Sequence, residues 1–412
     1  MGGKRSDDIF LYATERGGLM DAGATLSFDK RLYEVARLER ILTPALLVYT
    51  DYVRQNIQTT LNLVGGDARR LRPHLKTAKL AWVVREMAGA GVTDFKCATT
   101  LELLTAATCG ARDVLVAYPA TGANAERVRQ IAASFPAVAI SALVESPERI
   151  GEWAGSGVGL FIDVNPGMDR TGIAQEEAEA IAEMAKAIRK AKIAFRGLHY
   201  YEGHLGSLAL DERTSVAHRG YDRLMQIVAA LRAAGVPAEN VVTSGTPAFP
   251  CALAYAGFRT APFHHQFSPG TVVYNDLTSL SQLPREWAYR PAAVVLSRVV
   301  SRPRANIVTC DAGHKTVSAD AGVPNCRAIG REDLTPLKPS EEHLPLEAPE
   351  GASVPAIGEF LYLVPKHVCP TVNNFDHALV VEQGKIARLD RVAARGRENP
   401  LALSLRGPEA AG

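Results

Sequence analysis

Much that would mark a special class of protein is missing from these 412 residues. The six cysteines (Cys97, Cys109, Cys251, Cys310, Cys326, Cys369) include no pair at CxxC spacing. The opening MGGKRSDDIF carries no apolar export core, because Asp7 and Asp8 interrupt it. Disulfides are therefore a poor account of the cysteines, most of which read as small buried hydrophobes. No apolar run reaches the roughly 18 residues that a membrane span needs. Charge of one sign is lacking too: 46 Lys+Arg against 44 Asp+Glu leave +2, so no basic field draws nucleic acid or a membrane surface. There is no repeat of solenoid period and no low-complexity linker. What remains, 47% hydrophobic and 22% charged residues, is the composition of a globular protein, expected in the cytoplasm.

From Pro44 onward, short β-rich runs alternate with helical stretches. The runs are ALLVY (45–49), LRPHL (71–75), DFKCA (94–98), VLVAY (114–118), AISALV (139–144), GLFIDV (159–164), AFRGLHY (194–200) and NVVTS (240–244). Helical periodicity fills the gaps, as in 175–192 and 219–235. Eight such units predict an α/β fold, a (β/α)8 TIM-type barrel over 43–265. The competing doubly wound sheet lacks a GxGxxG after its first strand. After about residue 265 the chain reads as strands joined by turns, predicting a C-terminal β domain over 266–400. Residues 1–42 form an N-terminal extension with a helical stretch near LYEVARLERIL.

In such a barrel the carboxyl ends of the strands carry the chemistry. The second run continues into Lys76, placed to point into the barrel mouth, where apolar walls would lower its pKa and suit the amine to Schiff-base formation. A solvated loop lysine is the bland alternative. His367 and Cys369 stand two apart in a β-rich run, so on a strand they would share a face. Imidazole plus thiolate is a partial zinc site, although structural zinc uses about four ligands. His199 and His204, at another strand end, are candidate bases. Taken alone, SGTP (244–247) and SPGT (268–271) are turns.

RPHLKTAK (72–79) resembles the RPHxKTHK signature of the D-threonine aldolase and D-serine dehydratase family of fold-type III pyridoxal-phosphate enzymes. The resemblance runs on in order through FKCATTLEL (95–103), LVAYPATGAN (115–124), DVNPGMDRTGI (163–173), GLHYYEGH (197–204), TSGTPAFP (243–250), SPGTVVYND (268–276) and PKHVCPTV (365–372). It implies an alanine racemase-like barrel followed by a β domain. It makes Lys76 the residue that holds pyridoxal 5'-phosphate and sets Arg170 near the cofactor's phenolic oxygen. Tyr201 falls where the family sets a ring against the pyridine face. Ser244, Gly245, Thr246, Gly270 and Thr271 match the phosphate turns, where small residues let N–H groups approach an anion. His367 and Cys369 match the divalent-metal site, the thiolate favouring zinc over manganese or magnesium. Two positions depart from the pattern: Ala78 replaces the signature's second histidine, and Ser268 stands where alanine racemases place an arginine.

An electron sink beside a metal suits amino acids with a β-hydroxyl, and the resemblance implies the D configuration. Retro-aldol cleavage to glycine and an aldehyde is the first expectation. Dehydration to a keto acid and ammonia, as with D-serine or D-3-hydroxyaspartate, is the second. A non-catalytic pyridoxal-phosphate-binding protein is a third reading, disfavoured by the second domain and the metal pair. The family also implies a homodimer.

Overall fold

The computed structural model describes residues 26–403; the opening MGGKRSDDIF, read above for an export signal, lies outside them. The first strand, β1 (Ala45–Tyr49), is followed by a curled sheet of β2 (Asp94–Cys97), β3 (Asp113–Val116), β4 (Ala139–Val144), β5 (Gly159–Asn165), β7 (Phe195–Tyr200), β8 (Asn240–Thr243) and β9 (His264–Phe267). The two-residue β6 (Ile173–Ala174) pairs with β5. All of these pairings are parallel. Helices such as Thr100–Thr108, Ala123–Ser134, Ala178–Lys190 and Leu210–Ala233 return the chain between strands.

Leu71–His74 closes the curl through two isolated parallel bridges, Leu71 with Phe267 and His74 with Lys96. Arg72 N donates to Phe267 O at 2.8 Å, and Lys96 N donates to Pro73 O at 3.0 Å. The eight staves of the expected barrel are therefore Leu71–His74 and seven strands. Because helices cover the outer face and side chains fill the interior, strands such as DVLV are buried along their whole length. Phe95, Val114 and Leu198 belong to the large core cluster, while Leu115, Leu143, Phe161 and Val242 form a separate one. In register, Leu143 is paired with Phe161 on the next strand, and His199 with Val242.

Three expectations need correction. ALLVY is not a barrel strand: β1 pairs antiparallel with β10 (Ala293–Arg304) and parallel with β16 (His377–Glu382). An unbroken apolar run suits any buried strand, so the sequence alone did not assign it to a sheet. Its place in the barrel count goes to HHQF (264–267), whose polar residues hid it, and a boundary at 265 would cut this strand. Instead of a helix near LYEVARLERIL, the chain makes two short 3-10 turns, Lys30–Leu32 and Leu38–Arg40. Arg37, in the left-handed region at φ 62°, breaks the pattern between them. Tyr33 and Val35 instead plug the second sheet's core.

That second sheet also contains β11 (Ile307–Cys310), β12 (Cys326–Ala328), β13 (Thr335–Pro336), β14 (Leu344–Glu347), β15 (Phe360–Pro365) and β17 (Lys385–Arg391). Its order is β13-β14-β11-β10-β1-β16-β17, with β15 pairing β10 and β12. All six cysteines are free and buried. Among the described residues no helix is long and apolar enough to cross a membrane.

A buried ion cluster ties the closing segment to its neighbours. Arg72 is 1% exposed and donates to Asp113 at 2.7 Å and to Gln266 at 2.7 Å, with Asp94 at 3.5 Å. Arg196 reaches the other oxygen of Asp113. Removing Arg72 leaves Asp113 Oδ1 and Gln266 Oε1 without their buried charged donor, although Arg196 still holds the other Asp113 oxygen, so Arg72→Met is expected to destabilise the protein by about 3 kcal/mol, measured as a lower denaturation midpoint.

Candidate active site

The strand ends of the barrel bring Lys76, Arg170 and Gly245, singled out from the sequence, to one aromatic ring, that of Tyr201. Lys76 sits in a single helical turn, Leu75–Ala78. His74 caps this turn, its Nδ1 accepting from Lys76 N at 3.1 Å. The turn ends at Lys79, which is left-handed at φ 50°. Its buried amine bonds Glu102 at 3.1 Å and the carbonyl of Ala394 at 3.0 Å, holding the chain after β17 against the barrel. Lys76 Nζ lies 6.0 Å from the centroid of the Tyr201 ring, Lys96 Nζ lies 5.4 Å from it, and the Arg170 guanidinium carbon 4.7 Å. The apolar walls expected around Lys76 are not found: the residue is exposed at the mouth, among polar and aromatic neighbours.

Arg170 is carried by a loop that Asn165 shapes. The Asn165 Oδ1 accepts from the N–H groups of Gly167 and Asp169, each at 3.0 Å. Tyr201 packs so tightly on Gly245 that a Cβ there would meet its ring at 2.6 Å. The two glycine-containing turns are joined, Thr271 N donating to Thr246 Oγ1 at 3.1 Å. Gly270 approaches the backbone of the Lys76 segment: a Cβ would stand 2.7 Å from His74 O. Ser244 Oγ is buried with no hydrogen-bond partner. An orphaned hydroxyl in a turn with room only for glycine fits a bound anion. Ser268 faces elsewhere, donating to Arg72 O at 2.8 Å, and Ala78 lies in the core.

His199 and His204 part company. His199 is 3% exposed and its Nδ1 meets Asp163 Oδ1 at 2.7 Å across paired strands. Burial, then the charge of Lys96, holds its imidazole below its usual pKa. Its Nε2 faces Lys96 Nζ at 3.3 Å. His204 is exposed on the turn Gly203–Ser207 and borders a different cavity of about 300 Å3 with Gln175, Tyr200 and Glu202.

His367 and Cys369 are not on a strand. β15 stops at Pro365, and His367 caps a short helix, Val368–Asn373, that holds Cys369 in its first turn. Proline at 365 and the carboxylate of Asp276, which accepts from Val368 N at 2.9 Å, turn the chain here. Cys369 Sγ then packs 3.0 Å from Thr77 Oγ1, beside Lys76. Asp320 holds His367 Nδ1 at 2.6 Å. Burial opposes both ionised forms. Nevertheless Cys369 and Asp320 push the imidazole up to about 9, and His367 and Lys76 bring the thiol below its usual value. Nitrogen and sulfur donors with a carboxylate orienting the imidazole fit a partial metal site. No third His, Cys, Asp or Glu joins them as a ligand group among the described residues.

With this geometry in place, the comparisons with known proteins are direct. The model of the alanine racemase N-terminal domain matches residues 48–277, more than half of the chain. The chain belongs to that family. A serine dehydratase domain model matches residues 292–381. The 3-hydroxy-D-aspartate aldolase of Paracoccus denitrificans is 26% identical over 374 residues, covering 87% of this chain and 93% of its own. The D-threo-3-hydroxyaspartate dehydratase of Delftia sp. is 23% identical over 357 residues, covering 81% and 92%. Among solved structures, D-threonine aldolase from Filomicrobium marinum superposes with a TM-score of 0.79 at 25% identity, covering 88% of this chain and 98% of its own.

Within this alanine racemase-like barrel, the sequence reading passed over Lys96, Asp163 and Glu202. A signal for the first two was present: a charged residue inside a strand buried on both faces must be bonded or functional. Glu202 is 1% exposed and accepts from Tyr221 OH and, at 3.2 Å, from Ser244 N. Burial raises its pKa to about 7. Between about 4.5 and 7 the folded chain therefore binds a proton that the unfolded chain has lost, so this contribution to stability falls as pH rises through that window. Glu202→Gln is expected to remove the slope, gaining on the parent by about 3 kcal/mol at most between pH 4.5 and 8, as read from denaturation midpoints at the two pH values.

Proposed function

We propose that this protein is a pyridoxal-phosphate- and divalent-metal-dependent lyase acting on D-3-hydroxy-amino acids, of the D-threonine aldolase type. The observation that carries the reading is convergence: Lys76, Arg170, Tyr201, the 244–246 and 270–271 turns and Cys369 meet at one end of the barrel. The aldolase names of the Paracoccus and Filomicrobium relatives support the same choice.

Pyridoxal phosphate bound there supplies an electron sink for charge developing at a substrate's Cα. A divalent ion at His367 and Cys369, zinc in preference to manganese or magnesium, supplies Lewis acidity toward a β-hydroxyl. The chain's own residues do the rest. Lys76 provides the amine that anchors the cofactor's aldehyde, on a turn locked by His74 and Lys79. Arg170 offers a cation above Tyr201, suited to a phenolate oxygen. Ser244 Oγ and the Gly245–Thr246 and Gly270–Thr271 backbones suit a phosphate. Asp163 fixes the ring of His199, so that Nε2 is the nitrogen left to exchange a proton.

One observation favours a second reading. The metal pair is His and Cys within the stretch matched by the serine dehydratase model, which suits the dehydratase branch. Incubation of the metal-loaded protein with D-threonine separates the two: glycine and acetaldehyde are expected, whereas 2-oxobutanoate and ammonia would establish the dehydratase. The parent is expected to absorb at about 420 nm with pyridoxal phosphate bound, and Lys76→Ala to abolish that absorbance. Chelation and His367→Ala should each lower turnover by about 100-fold; turnover that survives both removes the metal from the mechanism. A homodimer in the cytoplasm completes the proposal, its assembly checked by the mass in solution.

A further inference from the structure

Two amines, not one, face the Tyr201 ring. Lys96 is on β2, where alternation sends Phe95 and Cys97 to the helix-packed core and Lys96 to the barrel interior. It is 2% exposed, in register with the interior residue Leu115. Its side chain runs up to the mouth, leaving Nζ 3.3 Å from His199 Nε2 and 5.4 Å from the Tyr201 centroid.

A purely structural lysine at such a place needs a carboxylate. Among the described residues none pairs with Nζ. Asp163 is held by His199 and Thr171, and Glu202 by Tyr221 and Ser244. The other charges near Lys96 are the cations of Lys76 and Arg170. Burial, followed by Lys76, lowers the pKa of Lys96 to about 7. A buried amine with one neutral hydrogen-bond partner, beside an open site, is poised to carry a proton.

We propose that Lys96 is a further catalytic residue of this site, a second amine that faces the cofactor from the barrel floor and exchanges a proton with it or the substrate through the His199–Asp163 pair. Asp163 fixes His199 with Nε2 toward Lys96, so a proton passed at Nζ is shared with a second buried base. Only a proton moves; no bond between heavy atoms forms or breaks at Lys96.

The inference rests on the cofactor reading, and one labelling experiment separates them. Wild type, Lys76→Ala and the double variant Lys76→Ala/Lys96→Met are incubated with pyridoxal phosphate, reduced with borohydride, digested and mapped by mass spectrometry. A wild-type chain without an adduct at Lys76 defeats the cofactor reading and the Lys96 inference with it. With that adduct present, Lys76→Ala is expected to label at Lys96, and the double variant to lose the label. No label at Lys96 overturns the inference while leaving the cofactor reading intact.

Turnover of D-threonine supplies the second arm. Lys96→Met is expected to lose about 100-fold or more while keeping the Lys76 adduct and its absorbance. Lys96→Arg keeps the charge but cannot give up a proton, so it stays equally low, and methylamine partly restores Lys96→Ala. Turnover of Lys96→Met within about threefold of wild type, or recovery in Lys96→Arg, overturns the proton-carrying role. If wild type leaves D-threonine unchanged, the labelling result decides alone.

Discussion

The barrel closes on a segment that is scarcely a strand. Leu71–His74 is held by one parallel bridge at each end, yet it decides where Lys76 stands, because the helical turn that carries the lysine starts at the next residue. Proline at 73 has no N–H to extend a ladder, so side chains do what a ladder would. Arg72 inserts into the barrel among Asp113, Asp94 and Gln266, and His74 caps the turn above. A shift of this segment would carry Lys76 away from Tyr201 and Gly270 away from the His74 backbone together.

Above that closure the barrel holds an uneven set of charges. Lys76, Lys96 and Arg170 surround one tyrosine, while the two nearby carboxylates, Asp163 and Glu202, are occupied by other partners. Concentrating cations in a partly buried mouth is unfavourable unless an anion arrives. A phosphorylated, phenolic cofactor has the charge that this surplus calls for. The ordinary net charge of +2 gives no hint of it, because the asymmetry is local and created by the fold.

The sequence was most legible where chemistry and backbone coincide. Turn residues and strand-end residues around 72–79, 163–173, 197–204, 243–250 and 268–276 come together as their motif order implies. It was least legible where sheet membership or local turns decide. ALLVY looks like any buried strand, and its partners lie far along the chain, so no local pattern assigns it to the second sheet. HHQF looks too polar for a barrel strand because Gln266 serves the Arg72 cluster and His265 bonds Thr243 and stacks on Phe258. The His367–Cys369 spacing suits a strand, whereas Pro365 and the capping carboxylate of Asp276 turn it into a helix start. Lys96 carries in the sequence only the general signal of a charge inside a buried strand; which groups it meets, His199 and the Tyr201 ring, depends on its barrel neighbours.

The position of β1 has a consequence for how the molecule is made. This strand leaves the ribosome before any part of the barrel, yet it hydrogen-bonds between β10 and β16, both synthesised after the barrel is finished. Leu47, fully buried in the mature fold, must wait with an unpaired edge through most of translation, the condition under which nascent chains are prone to misassociate. For the same reason a fragment cut after the last barrel strand would keep β1 but neither of its neighbours, and would open the large core in which Leu46, Val48, Ala378 and Val380 pack together with the barrel residues.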